Sequence, residues 1–258
     1  MDELPADGAF GKSAVLHELY SATAIPDFWA AACFFCNPLF SFLFAFFLSD
    51  RTVSMKTKIK ICGITTPEET EYLPPEEVDF MGMVLFCPKS RRNISLGRAM
   101  EIMEAAPKEI QKTAVTVSPS LEQALAIEKA GFDCIQIHGA LDSRMIRTIH
   151  IPIIRAVNMK EGMPTIEDNA PVRAWLFDAA QPGSGKSFDW NRLAGIPRGG
   201  KKWILAGGLT PVNVGEAIAI VHPDMVDVSS GVEYEDRKGK DPEKIAAFIR
   251  AVREADGE

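Results

Sequence analysis

From residue 56 to its end the chain repeats one pattern: a short apolar run, a polar or glycine-bearing turn, then a stretch with apolar residues at helical spacing. The apolar runs are 58–64 (KIKICGI), 79–86 (DFMGMVLF), 112–118 (KTAVTVS), 134–139 (CIQIHG), 153–158 (IIRAVN), 173–179 (RAWLFDA), 203–209 (WILAGGL) and 225–231 (MVDVSSG). Their length and β-branched content predict strands. Helices are predicted over 120–131, stopped by Gly131, over 210–221, with Thr210 as N-cap and Pro211 in the first turn, and over 241–252, opening in the same way on Asp241 and Pro242. Strands alternating with helices call for a parallel sheet. Eight such units within residues 55–258 fit the lower size limit of a (β/α)8 TIM barrel, an α/β fold, with a doubly wound open sheet as the alternative.

Residues 1–54 break the pattern and read as an extra N-terminal segment in front of a catalytic barrel over 55–258. Nine of the fifteen phenylalanines fall there, and residues 28–48 are uncharged over about the length that spans a bilayer. Five acids against Lys12 alone precede this run, whereas a secretory signal needs a positive start. Arg51, Lys56, Lys58 and Lys60 follow it, so insertion would leave the barrel cytoplasmic. The other reading is that Met55 is the true start and the preceding codons are an over-extended reading frame.

A formal charge of −7 argues against general nucleic-acid binding, which needs a basic face. Cysteines 33, 36, 62, 87 and 134 make neither a disulfide framework nor a paired CxxC zinc site, which fits a reducing cytoplasm. Cys33 and Cys36 sit in the apolar run, and Cys87 and Cys134 read as packing.

In a TIM barrel the chemistry sits at the C-terminal strand ends. Here those ends carry Cys62, Lys89 to Arg92, Gln136 and His138, Asp178, Gly207 and Gly208, and Asp227 with Ser229 and Ser230. The glycines let main chain approach an anion, and Ser229 and Ser230 stand where a helix N-terminus is expected, so the last two loops form a candidate phosphate site. A second phosphate candidate is Ala180 to Ser187 (AQPGSGKS), which fits the loose form of a nucleotide-binding P-loop. Its first position lacks the usual glycine, and Gly195 and Pro197 leave room for only one short helix behind it.

The stretches KICGIT (60–65), PKSRRNIS (88–95), IQIHG (135–139), GSGKSFDW (183–190), LAGGL (205–209) and VDVSSGVE (226–233) resemble, in order, those of the phosphoribosylanthranilate isomerases of tryptophan biosynthesis. The resemblance covers 56–258 and none of 1–54. It implies an Amadori rearrangement of N-(5-phosphoribosyl)anthranilate without metal or organic cofactor, in a monomer or homodimer. It makes Asp178 the acid, Cys62 the base and Arg92 the partner of the anthranilate carboxylate. Gln136 and His138 would contact substrate without acting as base, and the phosphate would lie on Gly207, Gly208, Ser229 and Ser230. Lys60 and Asp227 would support the site. It also moves the GSGKS loop from nucleotide binding to the rim of the active site.

These roles require a Cys62 thiol with its pKa pulled down, with Lys60 contributing from one layer deeper, and an Asp178 carboxyl raised by burial. Ser118 replaces the asparagine of many members, and Cys87 an aromatic or small residue. Two other readings compete. One is a different phosphosugar barrel, such as an indole-glycerol-phosphate synthase or a ribulose-phosphate epimerase, whose lysine–glutamate or histidine–aspartate sets do not occur at these strand ends. The other is a membrane-anchored barrel that binds a phosphometabolite without turning it over. Whether a histidine-pathway sugar is also used depends on charge and pocket size rather than motif.

Overall fold

The computed structural model describes residues 56–159, 172–179 and 187–258. The apolar run at 28–48 and residues 180–186 of the P-loop-like stretch lie outside them. The sheet runs β1 (Lys58–Cys62), β2 (Phe80–Leu85), β3 (Asn93–Ile94), β4 (Gln111–Val117), β5 (Cys134–His138), β6 (Ile153–Met159), β7 (Val172–Ala179), β8 (Lys202–Leu205) and β9 (Met225–Val228). All pairings are parallel, and β1 pairs with both β9 and β2, which closes eight strands into a barrel with β3 outside the ring on β2. The (β/α)8 expectation is therefore met, and the open-sheet alternative is not.

Alternation along each strand sorts the side chains into two regions. Ile59 and Ile61 of β1, Trp175 and Phe177 of β7 and Val226 of β9 join the main core between barrel and helices. The intervening residues turn to the axis, where Ile154, Ala174, Ile204 and Met225 fill the lower barrel. Toward the C-terminal ends the inward residues turn polar, and that change builds the site.

The last helix, Pro242–Asp256, shows the outer layer's logic. Asp241 accepts from the backbone N–H groups of Glu243 (2.9 Å) and Lys244 (3.3 Å), Pro242 sits in the first turn where no donor is needed, and Gly257 ends the helix at φ +88°. Ile245, Phe248, Ile249 and Val252 make its buried stripe. This matches the expected start and runs four residues longer.

Three features depart from the sequence reading. The helix over 210–221 starts late, at Val214, because Asn213 turns back: its Oδ1 accepts from the Thr210 N–H (2.8 Å) and its Nδ2 donates to the Gly208 carbonyl (3.0 Å). Residues 211–213 thus form a turn that braces the glycine loop. The two-residue β3 had no detectable pattern, yet its Asn93 accepts the Cys87 N–H (2.7 Å) and ties the Lys89–Arg92 loop to the barrel mouth. Lys60, counted as a basic flank of the apolar run, is fully buried in the folded barrel and paired with Asp227. No helix among the described residues is long and apolar enough to cross a membrane.

The close fit of the last loops gives a stability prediction. A Cβ on Gly231 would overlap the Leu209 carbonyl oxygen and lie 3.1 Å from the Thr210 Cα, all main-chain atoms that cannot swing aside. Gly231→Ala is expected to cost about 3 kcal/mol, seen as a Tm lower by about 6–12 °C. Gly97→Ala, where a Cβ meets nothing within 4 Å, is the control and leaves Tm unchanged or slightly raised.

Candidate active site

The C-terminal end of the barrel opens into a cavity of about 660 Å³. Every residue given a catalytic, substrate, phosphate or supporting role from the sequence lines it except Lys60, which lies one layer below. Cys62 ends β1 and Asp178 is the last residue but one of β7, strands that are not neighbours in the ring, so the two groups face one space from separate walls.

Asp178 is 8% exposed and its Oδ1 accepts from the Ala179 N–H at 2.8 Å. Burial is the main reason its pKa rises to about 6; the Asp227 charge adds to this, while the Ala179 N–H, Lys60 and Arg92 oppose it. Gly207, at φ +83°, leaves room for this arrangement, since a Cβ there would lie 3.1 Å from Asp178 Oδ1.

Cys62 sits on Gly82, whose Cβ would fall 2.8 Å from the sulfur and 3.0 Å from Lys60 Nζ. The thiol departs from the expected direction. Burial pushes its pKa up and Asp227 adds to the rise, and Lys60 and Lys240 only partly offset them. Lys60 does lie beneath it as expected, 2.9 Å from Asp227 Oδ1, and is kept charged by Asp227 and Cys62 against its own burial. The sequence reading weighed the cation but could not weigh the lost water.

Gln136 Nε2 lies 2.9 Å from His138 Nε2, and burial takes the histidine down to about 4, so it is neutral at pH 7. A neutral, hydrogen-bonded His138 suits a contact residue. Arg92 reaches the cavity but is not free: its Nε (2.5 Å) and Nη2 (3.1 Å) donate to Glu233, leaving Nη1 without a hydrogen bond among the described residues. Gly63 after Cys62 permits this, because a Cβ there would lie 2.5 Å from Arg92 Cδ.

The loops after β8 and β9 supply Gly207 and Gly208, both with positive φ, and Ser230. Ser229 is engaged elsewhere, for its hydroxyl donates to the Cys62 carbonyl at 3.0 Å. The helix expected directly after SSG is instead a single 3-10 turn, Ser230–Val232, because residues 233–240 first fold back as a hairpin. Cys134, read as packing, is buried beside Thr113 and raised to about 11, whereas Cys87 proves to line the cavity. No group of three or more His, Cys, Asp or Glu among the described residues could hold a metal.

The sequence reading missed Asn158, Glu233 and Lys240. Asn158 was detectable, as the last inward polar residue of β6, and it lines the cavity. Glu233 closes the VDVSSGVE stretch without an assigned role and Lys240 was not singled out; only the fold makes them partners.

The family model for N-(5'phosphoribosyl)anthranilate (PRA) isomerase matches residues 59–251. The N-(5'-phosphoribosyl)anthranilate isomerase of Streptococcus mutans is 40% identical over 198 residues, covering 76% of this chain and 99% of the bacterial one. That of Neisseria gonorrhoeae is 42% identical over 206 residues, covering 75% and 95%. Among solved structures, phosphoribosyl anthranilate isomerase from Thermus thermophilus superposes with a TM-score of 0.67 at 29% identity over 77% of this chain and 99% of its own. A phosphoribosyl anthranilate isomerase in complex with reduced 1-(o-carboxyphenylamino)-1-deoxyribulose 5-phosphate gives 0.62 at 31% identity, over 77% and 99%.

Proposed function

Since the chain belongs to the N-(5'-phosphoribosyl)anthranilate isomerase family, we propose that it carries out the isomerisation of N-(5-phosphoribosyl)anthranilate in tryptophan biosynthesis, in the cytoplasm, with Asp178 as acid and Cys62 as base. The observation that carries the assignment is a buried carboxyl raised to about 6 facing a buried thiol across one cavity.

Asp178 gives its proton to the ring oxygen of the ribose as the C1–O bond breaks. The anthranilate nitrogen lone pair forms the C1=N bond, leaving an iminium. Cys62 thiolate then takes the C2 proton, and the freed electron pair neutralises the iminium as an enol-amine. Protonation at C1 with loss of the C2 hydroxyl proton gives the ketose, so C1 is reduced, C2 is oxidised and no outside redox partner is needed. Arg92 Nη1 meets the carboxylate of the ring, and the main-chain N–H groups around Gly207, Gly208 and Ser230 meet the phosphate. With the Ser229 hydroxyl engaged, that residue contributes main chain. The test is rescue of tryptophan-free growth in cells lacking this isomerase, with conversion of the purified substrate followed by chromatography. No conversion by folded protein would end the reading.

The pH profile follows from the two groups. The reactive form is Asp178 protonated with Cys62 ionised, although the carboxyl is the stronger acid of the pair in the free protein. Below pH 6 the thiolate fraction climbs with pH while Asp178 stays protonated. Above it, loss of the Asp178 proton cancels the gain. Hence kcat/KM is expected to rise to a plateau beginning near pH 6 and to fall only above the ordinary thiol range, where Cys62 ionises. An alkaline fall beginning below pH 8 would contradict this.

A further inference from the structure

Two buried lysines act on Cys62, each with its own acid. Lys60 below it has Asp227, and Lys240, 1% exposed, has Glu233 at 3.1 Å. Nothing in the acid–base chemistry above employs Lys240. Its position is nonetheless strongly fixed. The buried Glu69 carboxylate, which holds the Thr65 N–H with one oxygen, takes the Lys240 backbone N–H with the other at 2.7 Å. The side chain then runs inward, and Nζ donates to the Ser229 carbonyl (3.0 Å) and to Glu233 (3.1 Å). Ser229 in turn holds the Cys62 carbonyl, and Glu233 holds Arg92 and Arg91.

Building on the isomerase reading, we propose that Lys240 is the positioning residue of this site: it fixes Glu233 and through it the Arg92 fork, and it places a second cation near Cys62. A buried ammonium shared between a carboxylate and a carbonyl is costly to desolvate, and a plain structural lock would be better served by an apolar side chain. The charge acts on a set that must be balanced: Cys62, Asp227, Glu233 and Arg92. Burial and the Asp227 charge disfavour the thiolate, and Lys60 and Lys240 are the two groups that oppose them. Glu233 lies between three cations, so Lys240 also keeps it from drawing Arg92 away from the cavity.

The test compares the full chain with Lys240→Met and Lys240→Arg. Iodoacetamide labelling of the Cys62 peptide, followed by mass spectrometry across pH, reads the thiolate without turnover. Lys240→Met is expected to move that curve up by about one pH unit and to raise KM about tenfold as Arg92 loses its setting. Lys240→Arg is expected to restore the labelling curve. A Lys240→Met curve superposed on wild type, with only Tm lowered, would overturn the proposal. Should Lys240→Met not fold, Glu233→Gln serves: KM rises about tenfold with the Cys62 curve not raised, and an unchanged KM overturns it. An inactive wild type whose curve still moves in Lys240→Met would end the isomerase reading and leave this inference standing.

Discussion

Asp178→Asn is expected to lower kcat about 10²–10⁴-fold with KM within about threefold of wild type, the range lost with a general acid. The amide has the carboxyl's shape and can keep accepting the Ala179 N–H, so the loop after β7 stays in place. What it lacks is a proton to release near neutral pH. Without that proton the ring oxygen would have to leave as an alkoxide, so the C1–O bond stays closed and the reaction stops before the iminium. Steady-state kinetics with the intact substrate checks this. Binding of the reduced ketose product should persist, because it contains no ring to open. Activity within tenfold of wild type would move the acid to another group at the barrel mouth.

Cys62→Ser is expected to cost at least about 10³-fold in kcat, since an alcohol is a far weaker acid than a thiol and yields almost no anion at neutral pH. The block falls later than in Asp178→Asn. The serine variant keeps its acid and can open the ring, so it is expected to form the iminium but not to lose the C2 hydrogen. Substrate deuterated at C2 separates the cases. The residual rate of Cys62→Ser should show a larger isotope effect than that of Asp178→Asn. Equal effects would mean that the two residues do not act on separate steps. Space is no obstacle, as the oxygen is smaller than the sulfur that contacts Gly82.

The barrel was legible because its signal is local. Alternation in KIKIC, CIQIH and MVDV separates outward aliphatics from an inward series, which in CIQIH and MVDV changes from apolar to polar along the strand and in KIKIC carries Lys60 and Cys62, and that sorting is visible without neighbours. Cys62 and Asp178 stand at strand ends by the same rule, although the resemblance was needed to give them roles. The direction of the Cys62 shift was not legible. It depends on how completely Gly82, Lys60 and Asp227 enclose the sulfur, a sum over three strands. Glu233 and Lys240 were missed for a related reason: a hairpin bridge brings them together, and charges in a glycine-containing loop ordinarily face water. The turn at 211–213 shows propensity overridden, since Pro211 suits a first helical turn but Asn213 gains more from bracing Gly208.

The closure of β1 on β9 also sets an order of events during synthesis. Lys60 and Asp227 are 167 positions apart, and Thr57 and Asp256 are 199 apart. A nascent chain that has made β1 through β8 therefore has a sheet with two unpaired edges and a lysine without its counter-ion. At about 5–20 residues per second, the segment from β9 onward takes a further ~2–7 s to emerge. During that interval the open edges are exposed to other strands. The strand that completes the sheet also supplies Asp227, so the half-made protein is at once the most prone to aggregate and without the ion pair beneath Cys62. Chains stalled before residue 225 are thus expected to aggregate more readily than chains that have made β9.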